Sequence, residues 1–169
     1  LRLMMFFMLP AWGLSNAAST LVGQNMGAGE MLRAEQSVMK TVKYNVIFMI
    51  VVSVIFFFMG DFLAGFFTNE TEIRNIATNA LHIMAVGFIF YGIGMVMINA
   101  FNGAGDTWTP TWVNLCGFWL FQIPFAYLLS KYFALGPKGV FISIPVAEAL
   151  ITIVAFMLFK KGKWKTVKV

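Results

Sequence analysis

Charge is what this sequence has least of. Asp, Glu, Lys and Arg make up 11% of its 169 residues, against roughly 25% in a soluble domain. So few ions cannot cover the surface of a water-soluble fold, and 60% hydrophobic residues place the chain in a membrane. Cysteine is nearly absent too. The single Cys116 lies inside an apolar run, which excludes a disulfide framework and a cysteine metal pair. With His82 the only histidine, there is no Ser–His, Cys–His or metal-spaced cluster. The sequence therefore implies no catalytic residue, no metal and no prosthetic group. Nothing resembles a cleaved signal peptide, and the chain starts at Leu1 rather than Met. The net charge of +5 invites a nucleic-acid partner, but its distribution excludes one. Lys160, Lys161, Lys163, Lys165 and Lys168 crowd the last ten positions, directly after an apolar run. A basic tail so placed marks a cytoplasmic end beside anionic lipid.

What is abundant is apolar length. Five runs, near Leu3–Met26, Tyr44–Phe67, Ile76–Phe101, Trp112–Phe133 and Val140–Phe159, each reach the roughly twenty residues that a bilayer-spanning helix needs. Barrel strands need only about ten, in alternation, so the expected fold class is all-α integral membrane with about five transmembrane helices. With residues 160–169 as a cytoplasmic tail, Arg33, Lys40 and Lys43 fall on the same side as that tail. Arg2, Arg74, Lys131 and Lys138 fall outside, in keeping with the positive-inside rule. Five spans that begin outside and end inside suggest the back part of a longer protein.

Two glycine-rich stretches interrupt the runs, Gly23-Gln24-Asn25-Met26-Gly27-Ala28-Gly29 followed by Arg33, and Asn102-Gly103-Ala104-Gly105-Asp106-Thr107. No Lys-Ser/Thr pair follows them, so they are not phosphate loops. They read as helix ends, where Gly ends the spiral, both on the cytoplasmic side. Gly103-Ala104-Gly105-Asp106 also fits the pattern of intramembrane aspartyl proteases, which need two carboxylates at one site. The only other aspartate, Asp61, falls on the opposite membrane face, so the enzymatic reading fails.

Polar residues recur at helical spacing within the spans. Trp12, Asn16, Ser19 and Gly23 form one stripe, Asn114, Phe118 and Gln122 another, and Glu148 and Thr152 align on the last span. Such stripes face other helices or a watery cavity, because polar groups in lipid are costly. Pro10, Pro124 and Pro145 fall within spans, where each removes a backbone donor. Gly87, Gly92 and Gly94 add points of close packing or bending. Glu148, near the centre of its span, is the sharpest candidate. Charge is expensive at that depth, which suits the group to exchanging a proton or meeting a cation. Tyr91, Tyr127 and Trp119 are candidates to line a cavity for planar cations. His82, near an outer boundary, reads as structural.

The spelling then matters. Pro10-Ala11-Trp12-Gly13-Leu14-Ser15-Asn16-Ala17 leads into the first glycine stretch and Arg33-Ala34. Asn99-Ala100-Phe101-Asn102-Gly103-Ala104-Gly105-Asp106-Thr107 follows, and Ala147-Glu148 precedes Lys161-Gly162-Lys163-Trp164-Lys165. In this order the stretches resemble the multidrug and toxic compound extrusion (MATE) family across essentially the whole chain. The resemblance implies the back part of a twelve-helix, two-bundle transporter, the eighth to twelfth helices, in a plasma or inner membrane. It also implies expulsion of drugs or organic cations in exchange for H+ or Na+, and a missing N-terminal half as partner. Gly23, Gln24, Asn25, Gly27, Gly29, Arg33, Gly103, Gly105 and Asp106 would be its structural signature. Glu148, Asn16, Ser19, Gln122, Tyr91, Asn114 and Tyr127 are the candidates for the cation and substrate pathway. One branch of the family places an acid in the tenth helix, where this chain reads Phe90-Tyr91-Gly92-Ile93, so Glu148 is not inherited from it. A lipid or oligosaccharide flippase, the first alternative, would favour Arg and Lys inside to hold phosphates. The second, a non-transporting structural membrane protein, would favour an unbroken apolar interior.

Overall fold

The computed structural model describes residues 2–166, with side chains from Met4 onward. Lys168 and the side chain of Arg2 lie outside the described residues. Helix α1 spans Arg2–Gly27, α2 Met31–Gly65 and α3 Thr71–Gly103. The fourth span is composite: α4 (Trp108–Asn114), a π-helical stretch Leu115–Gln122, α5 (Ile123–Tyr127) and a second π-helical stretch Leu128–Tyr132. Helix α6 spans Pro137–Lys160, and a short 3-10 turn covers Lys163–Thr166. Five helical segments are long and apolar enough to cross a membrane among the described residues.

The helices run further than the apolar runs do. The stretch holding Arg33, Lys40 and Lys43, expected as a connection, is the first part of α2, and only Ala28–Glu30 separates it from α1. Hydropathy marks where lipid begins, not where hydrogen bonding begins. Met31–Lys43 contains no Pro or Gly to stop a helix, and Ala34, Val38 and Val42 bury one face of it. The connection between the second and third apolar runs likewise shortens, because α3 begins at Thr71, ahead of the run that starts at Ile76. Asp61 and Arg74 therefore sit on adjoining helix ends, and Arg74 donates through Nε to Asp61 at 2.8 Å.

The core falls into two apolar clusters. One, toward the end that carries the lysine-rich tail (the basic face), joins Ala18, Val22, Val38, Val96, Met97, Phe101 and Phe159. The other, toward the opposite face, joins Ala11, Met49, Val52, Phe56, Met84 and Phe88. Between them lies a polar layer through which α3 runs. Ser53 Oγ donates to the carbonyl of Ala85 at 2.7 Å, Thr152 Oγ1 to that of Phe90 at 2.6 Å and Asn45 Nδ2 to that of Gly92 at 2.9 Å. Asn45 and Thr152 reach the α3 backbone because glycines bare it there. A Cβ at Gly92 would come within 2.8 Å of Met49 Cγ, and one at Gly94 within 2.6 Å of Thr152 Oγ1.

The two glycine stretches divide their labour. Gly29 and Gly105 hold φ of 76° and 79°, the left-handed geometry that ends a helix at low cost. Gly23 and Gly103 instead face each other across the α1–α3 crossing. A Cβ at Gly103 would lie 2.7 Å from the Ser19 Cα, and one at Gly23 would lie 3.2 Å from the Gly103 carbonyl oxygen. Asn25 Nδ2 donates to the Leu21 carbonyl at 2.7 Å. Asp106 accepts from the Thr109 N–H at 3.0 Å and the Thr109 hydroxyl at 2.6 Å, fastening the start of α4. Gln24 and Arg33 are exposed.

At the basic face the chain folds back on itself. Trp164 is fully buried, stacks on Phe159 at 4.8 Å and donates Nε1 to the Phe159 carbonyl at 2.9 Å. Lys165 and Lys160 reach Glu35 on α2 at 2.7 and 3.4 Å. The first half of the expected tail is thus a fixed clasp between α6 and α2.

The crossing glycines make a direct test. Gly103→Val forces a branched side chain into the Ser19 backbone and is expected to cost at least about 1–3 kcal/mol. Gly27→Ala, where nothing lies within 4 Å of the added Cβ, is expected to stay within about 0.5 kcal/mol of the parent. Thermal unfolding in detergent reads both. Equal melting temperatures for the two variants would contradict the close crossing.

Candidate functional site

Alongside α3, between α1 on one side and the fourth span and α6 on the other, lies a partly open cavity of about 490 Å³. Met5, Met8, Leu9 and Trp12 of α1 form one wall, and Tyr91, Gly94, Met95, Ile98 and Asn99 of α3 the second. Asn114 and Phe118 of the fourth span and Glu148 and Ile151 of α6 complete its lining. Its walls are mostly apolar and aromatic, with a few polar groups, which is the usual character of a small-molecule site.

Glu148 is 8% exposed, and that exposure is to the cavity. Among the described residues no side chain donates a hydrogen bond to it and no cation pairs with it. A buried carboxylate without a partner is rare, because desolvating it costs several kcal/mol. Thr152, one turn along α6, instead spends its hydroxyl on the Phe90 carbonyl. This holds α6 in register with α3 and keeps Glu148 beside Tyr91 in the same wall. Asn99 donates Nδ2 to Ser15 Oγ at 2.9 Å and to the Met95 carbonyl at 3.1 Å. Ser15 in turn donates to the Trp12 carbonyl at 3.1 Å. With both its donors so used, Asn99 is left with its carbonyl oxygen as the group it can offer a ligand.

The fourth span contributes through its irregularity. Pro124 has no N–H to give, and π-helical turns lie on both sides of its short α segment. Such turns shift the phase of the helix, so the stripe expected from regular spacing breaks. Asn114 and Phe118 reach the cavity while Gln122 does not. Tyr127 is exposed and engages Lys131, whose Nζ donates to the tyrosine hydroxyl at 3.1 Å. Trp119 is 68% exposed and faces away. On α1 only Trp12 of the expected stripe reaches the cavity. Asn16 lies exposed, and Ser19 is engaged at the α1–α3 crossing against Gly103. His82 packs beside Gly60 and its ring lies 5.2 Å from that of Phe57, a packing role. Asp106 and Asp61 are each occupied, by Thr109 and by Arg74, at opposite ends of the bundle.

Two polar residues escaped sequence reading. Asn45 sits one residue into an apolar run and looked like its boundary, yet it is fully buried, and its Oδ1 has no partner among the described residues. Asn99 opened the second signature stretch, which hid its place two turns beyond Tyr91 on the cavity side of α3. A helical-wheel reading of Tyr91, Met95 and Asn99 was the signal that could have found it.

A bundle of helices, five of them apolar and long enough to cross a bilayer, beside a cavity with one carboxylate unpaired among the described residues, marks a multi-pass membrane protein. The MatE family model matches residues 1–128, and the chain belongs to that family of multidrug and toxin extrusion transporters. It is 27% identical over 157 residues to the probable multidrug resistance protein NorM of Thermotoga maritima, covering 93% of this chain and 34% of that one. It is 26% identical over 159 residues to multidrug and toxin extrusion protein 1 of Homo sapiens, covering 94% and 28%. The fold superposes on the eukaryotic MATE transporter AtDTX14 with a TM-score of 0.85 and 26% identity, over 92% of this chain and 35% of that one. The chain thus spans about a third of the length of the relatives it matches.

The Thr152–Gly94 contact that positions Glu148 is open to a double-mutant test. Thr152→Val keeps the shape but loses the bond to Phe90, and is expected to cost about 1 kcal/mol. Gly94→Ala should cost more, because its Cβ meets the Thr152 hydroxyl. Measured against the Gly94→Ala and Thr152→Ala single variants, their combination should recover at least about 0.5 kcal/mol relative to additivity, read by chemical denaturation in detergent. Strict additivity would contradict the contact.

Proposed function

We propose that this chain forms the cation-exchanging wall of a MATE antiporter, in which Glu148 alternately holds a proton, or Na+, and an organic cation. The observation that carries this reading is the carboxylate itself, nine-tenths buried, unpaired among the described residues and open to a cavity of about 490 Å³. A single acid in such a place binds one positive charge at a time, so a cation arriving from one side must displace whatever cation neutralised it before. That displacement is the coupling step an antiporter requires. The rings of Trp12, Tyr91 and Phe118 offer faces to a planar cation, and the oxygens of Asn99 and Asn114 are positioned to orient it. Methionines at 5, 8 and 95 give the wall the adaptability that varied drug shapes demand.

The names of the relatives, multidrug resistance and multidrug and toxin extrusion, support drugs and organic cations as the substrate class. Their greater length supports a partner segment that completes the cavity and supplies the second bundle. In that arrangement these five spans are the eighth to twelfth helices. The basic face, with Lys40, Lys43 and Lys160–Lys165, lies in the cytoplasm by the positive-inside rule, and the membrane is a plasma or inner membrane.

The test uses the complete transporter in sealed vesicles loaded with a fluorescent organic cation, under an imposed proton gradient and then a sodium gradient. Efflux is expected with one of them. Glu148→Gln, which keeps the shape but cannot carry charge, should lower the gradient-driven rate at least about tenfold, the scale expected for losing a group that acts in coupling. Efflux unchanged in Glu148→Gln would remove Glu148 from the pathway. No efflux with either gradient from folded protein would overturn the antiporter reading for that substrate.

A further inference from the structure

A second, smaller cavity of about 260 Å³ opens on the outer side of α6, lined by Trp112, Val113, Cys116, Gly117, Leu150, Ile151 and Val154. Apart from the Cys116 thiol and the Trp112 indole N–H its lining is apolar, so it offers little to a drug's polar groups. Gly117 lets the fourth span come close to α6 at the cavity's edge. A Cβ there would press on Ile151, with Cδ1 at 2.5 Å. The π-helical stretch that contains Gly117 thus leans directly on α6 and leaves a furrow along the seam.

The furrow has a fixed relation to charge. Leu150, Val154 and Lys161 lie within about 20° of one line along the helix, given 3.6 residues per turn, and Lys161 keeps helical φ and ψ as the residue capping α6. Eleven residues separate Leu150 from Lys161, a rise of about 16 Å, which matches the roughly 15 Å hydrocarbon depth of one leaflet. Lys161 and Lys163 are exposed and, unlike Lys160 and Lys165, pair with no acid among the described residues. Trp108 and Trp112, 72% and 56% exposed, stand one turn apart in the first part of the fourth span, where amphipathic rings settle at headgroup level.

We propose that this furrow is a binding site for one anionic phospholipid from the leaflet on the basic face. An acyl chain lies along Leu150, Val154 and Gly117, and the phosphate sits against Lys161 and Lys163. The charge complementarity decides between occupants. A neighbouring apolar helix would fill the furrow without needing the lysines, and a zwitterionic lipid would gain little from them. Ile151 lines this furrow on one side and the Glu148 cavity on the other, so the lipid and the transport site share a wall.

Native mass spectrometry of the complete transporter, released from nanodiscs with equal phosphatidylglycerol and phosphatidylethanolamine, tests the site without any transport assay. Its failure is therefore separable from failure of the antiporter reading. One phosphatidylglycerol is expected to be retained in preference. Lys161→Gln with Lys163→Gln, both on the surface and harmless to folding, should cut that preference about tenfold, and Val154→Trp, which fills the furrow, should remove the retained lipid. Equal retention of both lipids by the parent, no retained lipid, or a preference unchanged by the lysine substitutions would each overturn the proposal.

Discussion

Ser53, Asn45 and Thr152 come from two different helices and all give their hydrogen bonds to the backbone of one, α3. In hydrocarbon no water stands ready to satisfy a hydroxyl or amide, so each must find a partner inside the protein. For Asn45 and Thr152, helix α3 is the partner because Gly92 and Gly94 bare its backbone at the depth where these two side chains arrive. The same exposure lets α2 and α6 approach more closely than larger residues would permit. Gly87, over which Pro145 sits at 3.0 Å from a hypothetical Cβ to its Cα, extends the seam toward the opposite face. Registers of α2 and α6 against α3 follow from these contacts, and the remaining packing is built outward from them.

The cavity is a consequence of that arrangement. Thr152 points at α3, so Glu148, one turn earlier on α6, is held in the cavity wall near Tyr91. Asn99 ties α1 to α3 through Ser15, which brings Trp12 over the same space. The π-helical fourth span turns Asn114 and Phe118 toward it and turns Gln122 away. What distinguishes the site from ordinary interhelical bonding is bookkeeping of donors. Thr152, Asn45 and Ser15 each have a hydrogen-bond partner, while among the described residues the Glu148 carboxylate, like the uncharged Thr78 hydroxyl, has none, and only Glu148 can carry charge. Such a group is either neutralised by a proton or matched by a cation, and switching between those states is what moving a charged substrate requires.

Much of this was legible in the amino-acid order. Five apolar runs gave five spans, and the glycine stretches marked the places where α1 and α3 end. Glu148 stood out by depth alone. The helix extents were not legible, because Met31–Lys43 is too polar to read as membrane and yet is a good helix. Nor could regular spacing foresee the fourth span, where Pro124 and two π-helical stretches change the phase, or locate Asn16 and Ser19. Their stripe follows α1 correctly, but which sector of α1 faces α3 is set by the Gly23–Gly103 crossing, a contact between residues eighty positions apart. Asn45 was missed for a related reason, since a polar residue at the edge of an apolar run looks the same whether it meets water or a backbone carbonyl.

The central claim is that the Glu148 carboxylate carries one positive charge at a time. It is tested most directly by proton release from the purified complete transporter in weakly buffered detergent near neutral pH, on addition of tetraphenylphosphonium. The account predicts release of close to one proton, or displacement of bound Na+ when sodium is present, and loss of that release in Glu148→Gln. Cation binding with neither proton nor sodium released, or with release unchanged in Glu148→Gln, would contradict it.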